Sequence, residues 1–209
     1  MSSKSLHIAF VATLPLKSPT IIGRTLPLAT ELVKHGHEVE LITLDNTVNE
    51  TQDTPVSITI AGPSFRSGKN KPGLPQLITR YLAGKKGLKQ TLLSRENDVV
   101  VMVKPHPQNY SALKHTNTPL ILDSDDDEGN SSRVNFVEKA WLNKINIKSA
   151  QKSRLVTACS PYLVEKYRQI CPNKTIELIP TAISETVATE SPDLRRYFDL
   201  SPDAQIILY

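Results

Sequence analysis

Residues 6–44 read LHIAFVATLPLKSPTIIGRTLPLATELVKHGHEVELITL, and this stretch decides the fold. Leu6 to Thr13 is a nearly continuous apolar run rich in β-formers, the pattern of a parallel strand covered on both faces. A loop with Pro15, Pro19 and Gly23 follows. From about Arg24 to His35, the apolar residues Leu26, Ala29, Leu32 and Val33 recur at helical spacing. Pro27 has no N–H to donate and is expected in the first turn of that helix. Gly36 is expected to end it in a left-handed cap, and His37 to Leu44 to form a second strand. Strand, helix, glycine and strand in this order make a βαβ unit with a right-handed crossover.

The alternation continues. Val56 to Ala61 reads as a strand, residues 62–73 as a loop, and Leu74, Leu77, Ile78, Tyr81 and Leu82 as a helix. Leu88, Leu92 and Leu93 continue the helical spacing after Gly84 and Gly87, where a break is expected. Asp98 to Val103 is the strongest strand signal, stopped by Lys104-Pro105-His106-Pro107. A short helix to about His115 leads to the strand Leu120–Leu122. This strand ends in Asp123, Ser124, Asp125, Asp126, Asp127 and Glu128. Val134, Val137, Trp141 and Ile145, widened by Phe136, Ala140 and Ile147, form a helical stripe read as core. Leu155 to Cys159 is a strand, and Ser160-Pro161 starts a helix to about Ile170. Ile176 to Ile179 is a strand, Ser191-Pro192 starts a short helix, and Ala204 to Tyr209 reads as the first strand of a further unit. The expectation is an α/β fold with a doubly wound, mainly parallel, Rossmann-like sheet over residues 1–185, then a linker and first strand over 186–209.

Composition excludes several classes. At 39% apolar and 22% charged residues the chain is neither disordered nor fibrous, and no apolar run reaches the roughly 18 residues of a membrane span. Two cysteines, Cys159 and Cys171, have no metal-ligand spacing, and a reduced, cytoplasmic protein is expected. The net charge of +4 hides an asymmetry. Between Thr54 and Arg95 there is no acidic residue and there are eight basic ones: Arg66, Lys69, Lys71, Arg80, Lys85, Lys86, Lys89 and Arg95. The remainder, with 17 basic and 21 acidic residues, is mildly acidic. This basic region reads as a solvated helix face with a loop, or as a contact for an anionic membrane surface through Arg80, Lys85, Lys86 and Lys89, whose neighbours are leucines. With Tyr81 as its one helical aromatic and no nucleic-acid module, nucleic acid is not expected as a partner.

Ligands of open α/β sheets bind outside the carboxyl ends of the strands. Three strand ends therefore carry candidate sites. Gly23-Arg24 stands where the first loop enters a helix, whose free N–H groups attract phosphate or carboxylate; the alternative is a permissive turn and a solvated arginine. His106, held between two prolines, could donate to a ligand hydroxyl or phosphate oxygen, or be a loop histidine without a partner. The five acidic side chains after Leu122 could hold a divalent metal through Asp-x-Asp, act as phosphoryl-transfer aspartates, or cap the next helix. An EF-hand calcium loop fails, because the sixth and twelfth places from Asp123 hold Glu128 and Val134.

LHIAFVAT, IIGRTLPLATELVKHGHEVELIT, DVVVMVKPH, PLILDSDDDEG, RLVTACSPYLVEKY and IELIPTAIS together resemble the N-terminal half of a family 4 glycosyltransferase. That resemblance implies the GT-B architecture, two Rossmann-like domains facing across a cleft, with residues 186–209 leading into a C-terminal donor domain. It implies a retaining transfer of a sugar, of hexosyltransferase type, from a UDP- or GDP-linked donor held mainly by that other domain. The acceptor, a sugar, a lipid-linked molecule or a small molecule, would bind this half, which alone would be inactive. The residues carried forward are His106 and Asp125 as catalytic, and Gly23, Arg24, Asp123 and Asp126 as substrate-binding. Asp126 to Glu128 would cap and charge-complement the N-terminus of the following helix. The resemblance implies no cofactor and no metal, and a cytoplasmic setting, peripheral at the inner membrane face. A sugar-nucleotide epimerase of GT-B-like shape and a non-catalytic binding module are the alternatives.

Overall fold

The computed structural model describes residues 4–45, 54–64, 73–130, 136–181, 194–201 and 203. The expected strand at 204–209 and the Ser191-Pro192 helix start lie outside them. The chain runs through β1 (His7–Val11), a π-helical turn (Ile21–Thr25), α1 (Leu26–Lys34), β2 (Glu38–Leu44), β3 (Ser57–Gly62), α2 (Leu74–Leu93), β4 (Val99–Val103) and α3 (Pro107–Leu113). It continues through β5 (Leu120–Ser124), a 3-10 turn (Glu128–Asn130), α4 (Phe136–Lys152), β6 (Leu155–Ala158), α5 (Pro161–Ile170), β7 (Thr175–Leu178) and α6 (Leu194–Tyr197). The seven strands form one sheet in the order β3-β2-β1-β4-β5-β6-β7, and every pairing is parallel. The order reverses between β1 and β4, which is the doubly wound switch point.

Side chains alternate between the two faces of each strand, so each strand feeds two cores. Ile8, Phe10, Leu41, Val101 and Val103 pack against Leu26 and Ala29 of α1 on one face. Val11, Ile42, Met102, Leu122 and Val156 pack against Leu88, Leu113, Ala150, Leu163 and Tyr167 of α2 to α5 on the other.

The first helix starts earlier than its apolar spacing indicates. Residues 19–20 are already helical, and the Ile21 N–H meets Ser18 Oγ at 3.3 Å, so Ser18-Pro19 carries the same start signal as Ser160-Pro161. Pro27 then falls inside a continuous helix. Its ring would crowd the carbonyl of Gly23, and the helix widens there into the π turn, with the Leu26 N–H bonded to Ile21 O. Gly36, at φ 87°, closes the helix as expected, its N–H on Val33 O and that of His37 on Leu32 O.

Two expectations are corrected. Helix α2 is not broken at Gly84 or Gly87 but runs unbroken for 20 residues. A Cβ on Gly87 would lie 1.8 Å from Ala61 O, and one on Gly84 would lie 2.8 Å from Leu44 Cδ1. The glycines let the helix lie directly on the end of β3; they mark close approach instead of a break. Of the stripe read as core, Val134 lies outside the described residues and Ile145 is half-buried, but Phe136 is 84% exposed, Val137 75% and Trp141 49%. The buried positions of α4 are Asn146, Ser149 and Ala150, with Asn146 Oδ1 2.7 Å from the Tyr167 hydroxyl. Asn146 gains there a hydrogen bond that offsets its burial, whereas the Ser149 hydroxyl is buried without a partner among the described residues.

Candidate functional site

The loops leaving β1, β4, β5 and β6 meet at the carboxyl edge of the sheet, across the switch point. Near its end β5 buries Asp123, which is 2% exposed, against Arg24 of the π turn, 3% exposed. Arg24 donates from Nε to Asp123 Oδ2 (3.0 Å), from Nη2 to Oδ1 (2.7 Å) and from Nη1 to Ile179 O (2.7 Å). Thr157 of β6 donates to Asp123 Oδ1 at 2.6 Å. Burial opposes the Arg24 charge, but the hydrogen bonds and charge of Asp123 outweigh it, and the net shift of the guanidinium is upward. The structure thus turns both residues onto each other, where the sequence reading has them facing a substrate.

A second cluster sits beside this pair. Lys104 follows β4 with φ 63°, a left-handed conformation unusual for a residue with a side chain and disfavoured before proline. Its N–H bonds Asp123 O, and Asn109 Nδ2 donates to Val103 O and Lys104 O, pinning the turn. The Lys104 ammonium lies 2.8 Å from Glu128 Oε1, 3.2 Å from Asp125 Oδ1 and 3.9 Å from Asp126 Oδ2. Burial would lower its pKa, but Asp125 and then Glu128 reverse this and raise it. Thr20 donates to Asp125 Oδ2 at 2.8 Å. His106 places Nδ1 2.7 Å from Thr13 Oγ1 and Nε2 3.5 Å from Glu128 Oε1. Contact with His106, opposed by burial and reinforced by Lys104, holds the Glu128 carboxyl well below the usual carboxylate range.

The edge therefore joins Thr13, Thr20, Lys104, His106, Asp125 and Glu128 in one hydrogen-bonded and ionic network. Of the residues named from the sequence, His106 and Asp125 are in it and Asp126 is at its rim with 67% of its side chain exposed. Gly23 is exposed on the π turn, with nothing within 4 Å of where a Cβ would stand. Arg80, Lys85, Lys86 and Lys89 lie on α2, outside this network. Asp127 accepts from Tyr162 (2.9 Å) and Lys166 (2.5 Å), and Glu128 faces Lys104. Thr13, Thr20, Lys104 and Thr157 escape a sequence reading. Lys104 carries one usable signal, since it is the first charged residue after the strongest strand.

Among the described residues no group of three or more His, Cys, Asp or Glu could hold a metal ion. Asp123, Asp125 and Glu128 each face a cation already. Cys159 donates to Asp125 O at 3.1 Å, and burial pushes its thiol upward. No helix of the described residues is long and apolar enough to cross a membrane.

Residues 24–186 match Glycosyltransferase Family 4. No curated protein matches the chain. Among solved structures, sucrose-phosphate synthase from Thermosynechococcus elongatus superposes with a TM-score of 0.66 at 12% identity, over 95% of this chain and 53% of that one. Glycyrrhiza uralensis UGT73P12, complexed with glycyrrhetinic acid 3-O-monoglucuronide, gives 0.57 at 15% identity, over 85% and 49%. A putative UDP-N-acetylglucosamine 2-epimerase from Listeria monocytogenes gives 0.56 at 12% identity, over 83% and 45%. At these identities the likeness is one of fold. The chain spans about half the length of these three chains.

Proposed function

The chain belongs to Glycosyltransferase Family 4, and from this premise we propose that it forms the acceptor-side half of a retaining glycosyltransferase of hexosyltransferase type. Its donor would be a UDP- or GDP-linked sugar held mainly by a second domain, and its acceptor a sugar, a lipid-linked molecule or a small molecule. The setting would be the cytoplasm, at the inner membrane face. One observation carries this reading: His106, Lys104, Asp125 and Glu128 gather at the switch-point edge, in a chain about half as long as the enzymes it superposes on.

In this reading an acceptor hydroxyl approaches the edge past Gly23, which has open space where a Cβ would stand. Asp126, exposed at the rim, accepts from sugar hydroxyls. His106 is braced at Nδ1 by Thr13, while its 3.5 Å contact with Glu128 is long enough for a ligand oxygen to take over Nε2. Asp125, paired with Lys104 and oriented by Thr20, accepts the proton of the attacking hydroxyl. Lys104 also supplies positive potential towards the departing diphosphate. Arg24 and Asp123 hold the loops in register and meet no substrate.

Amide NMR of the 209-residue chain tests this assignment. Candidate acceptor sugars and glycolipids should shift Thr13, Lys104, His106 and Asp125, whereas UDP and GDP should leave them nearly unmoved. Strong shifts with nucleotide and none with any sugar would reverse the assignment of this half. Epimerised product from a nucleotide-sugar without acceptor would favour the epimerase reading instead.

A further inference from the structure

Thr13, His106 and Glu128 form a chain of contacts: Thr13 Oγ1 lies 2.7 Å from His106 Nδ1, and His106 Nε2 lies 3.5 Å from Glu128 Oε1. The backbone holds the first two members in place. Thr13 is buried just past β1, between Ala12, whose N–H meets Ile42 O, and Leu14, whose carbonyl accepts from Thr43 at 2.6 Å. His106 is the N-cap of α3, extended at ψ 147°, and its carbonyl accepts from the Tyr110 N–H. Pro105 and Pro107 on either side leave that backbone little freedom.

The hydrogen bonds along this chain have a direction, and Glu128 sets it. An ionised carboxylate offers lone pairs only, and the Lys104 ammonium holds the same Glu128 Oε1 at 2.8 Å. A neutral imidazole has one N–H and one lone pair, and the partner of one nitrogen decides the state of the other. A lone pair on Nε2 would face the carboxylate oxygen and be repelled by it; a proton there is attracted. The proton therefore sits on Nε2. Nδ1 keeps the lone pair, and among the described residues the Thr13 hydroxyl is the group bonded to it. A threonine hydroxyl both donates and accepts, so Thr13 follows the direction that Glu128 imposes. Lys104 adds a second consequence. Because it stays on Glu128, His106 can turn its N–H to another oxygen without leaving that carboxylate unpaired.

We propose that Glu128 and Thr13 are positioning residues that fix His106 as its Nε2–H tautomer. With its lone pair capped by Thr13, the neutral imidazole serves the site as a hydrogen-bond donor to a ligand oxygen and not as a base. Glu128 faces the N–H until such an oxygen arrives, and proton removal is left to Asp125. The tautomer stands on geometry alone; that the oxygen belongs to a sugar rests on the transfer reading.

Long-range nitrogen–proton correlation spectra of the isotope-labelled 209-residue chain read the tautomer directly. They are recorded at a pH about two units above the ordinary imidazole value of about 6.5. The chain has five histidines, and the signals missing from His106→Gln identify those of His106. Nε2 should be the protonated nitrogen, and Nδ1 should show the shift of a hydrogen-bonded lone pair. Thr13→Val should move Nδ1 to the shift of an unbonded nitrogen, whereas Thr13→Ser, which keeps the hydroxyl, should leave it in place. Glu128→Gln, whose amide can donate to Nε2, should raise the share of the Nδ1–H form about five-fold, the equivalent of one hydrogen bond. Circular dichroism checks that each variant folds, and the native spectrum depends on none of them. A native chain with its proton on Nδ1 overturns the proposal. So does a His106 spectrum that neither Thr13→Val nor Glu128→Gln alters.

Methyl glucoside, methyl mannoside and methyl N-acetylglucosaminide are then added to the native chain. A bound glycoside should move the Nε2–H signal and leave Nδ1 bonded to Thr13. Binding that strips Nε2 of its proton, or shifts edge amides without moving Nε2–H, overturns the donor role. No response to any glycoside, with Nε2 protonated and the variants behaving as expected, supports the tautomer and counts against the transfer reading alone.

Discussion

Removing one partner of the Arg24–Asp123 pair leaves a charge that the fold has already desolvated. Asp123→Asn or Arg24→Met should therefore cost about 3–5 kcal/mol in urea unfolding, far beyond an exposed pair such as Lys34–Glu31. Glu128 makes a different prediction. Its folded pKa is depressed, so its contribution is full above the ordinary carboxylate range of about 4.3 and is lost as pH falls through that range towards the folded value. The melting temperature of the native chain should fall on acidification, and Glu128→Gln should start lower at neutral pH and fall less steeply. Cys159, its thiol raised by burial, should alkylate more slowly at neutral pH than a free cysteine. These pairings were beyond the sequence because they join distant positions: Lys104 to Glu128, Thr13 to His106, Thr20 to Asp125. Residue type and strand ends located the edge; only the fold shows which charges cancel there.

Elements whose signal is local were legible, and those whose signal needs a partner were not. The apolar strand runs, the Gly36 cap and the Ser160-Pro161 start each act within a few residues, and the structure has them. A glycine pair in a helix reads as a break until the neighbouring strand is known to lie in contact with it. Gly87→Ala should then be destabilising by about 1–3 kcal/mol, because the backbone carbonyl of Ala61 cannot move aside as a side chain would. Gly23→Ala, with open space around it and no left-handed φ, should leave the melting temperature unchanged or raise it slightly. Thermal unfolding of the two alanine variants separates close approach from simple permissiveness. Likewise the apolar spacing of α4 gives a helix, but spacing alone does not say which face turns inward. Asn146, on the inward face, makes its contact 21 residues away, at the Tyr167 hydroxyl.

At the scale of the molecule, a parallel sheet is paired from its centre outward. Hydrogen exchange should be slowest in β1, β4 and β5, which have strand neighbours on both sides and sit beneath both cores, and fastest in β3 and β7 at the two edges. Faster exchange in β4 than in β7 would contradict this picture. The alternation of strands and helices made this architecture readable from composition and period, since each βαβ step constrains the next. One contact adds a dimension of time. Arg24 lies in the first crossover, its carboxylate partner in the fifth strand, and its third acceptor, Ile179 O, 155 residues further along the chain. A chain made from its N-terminus has this guanidinium long before it has either acceptor. The carboxyl edge of the sheet is consequently completed only after β7 has been made.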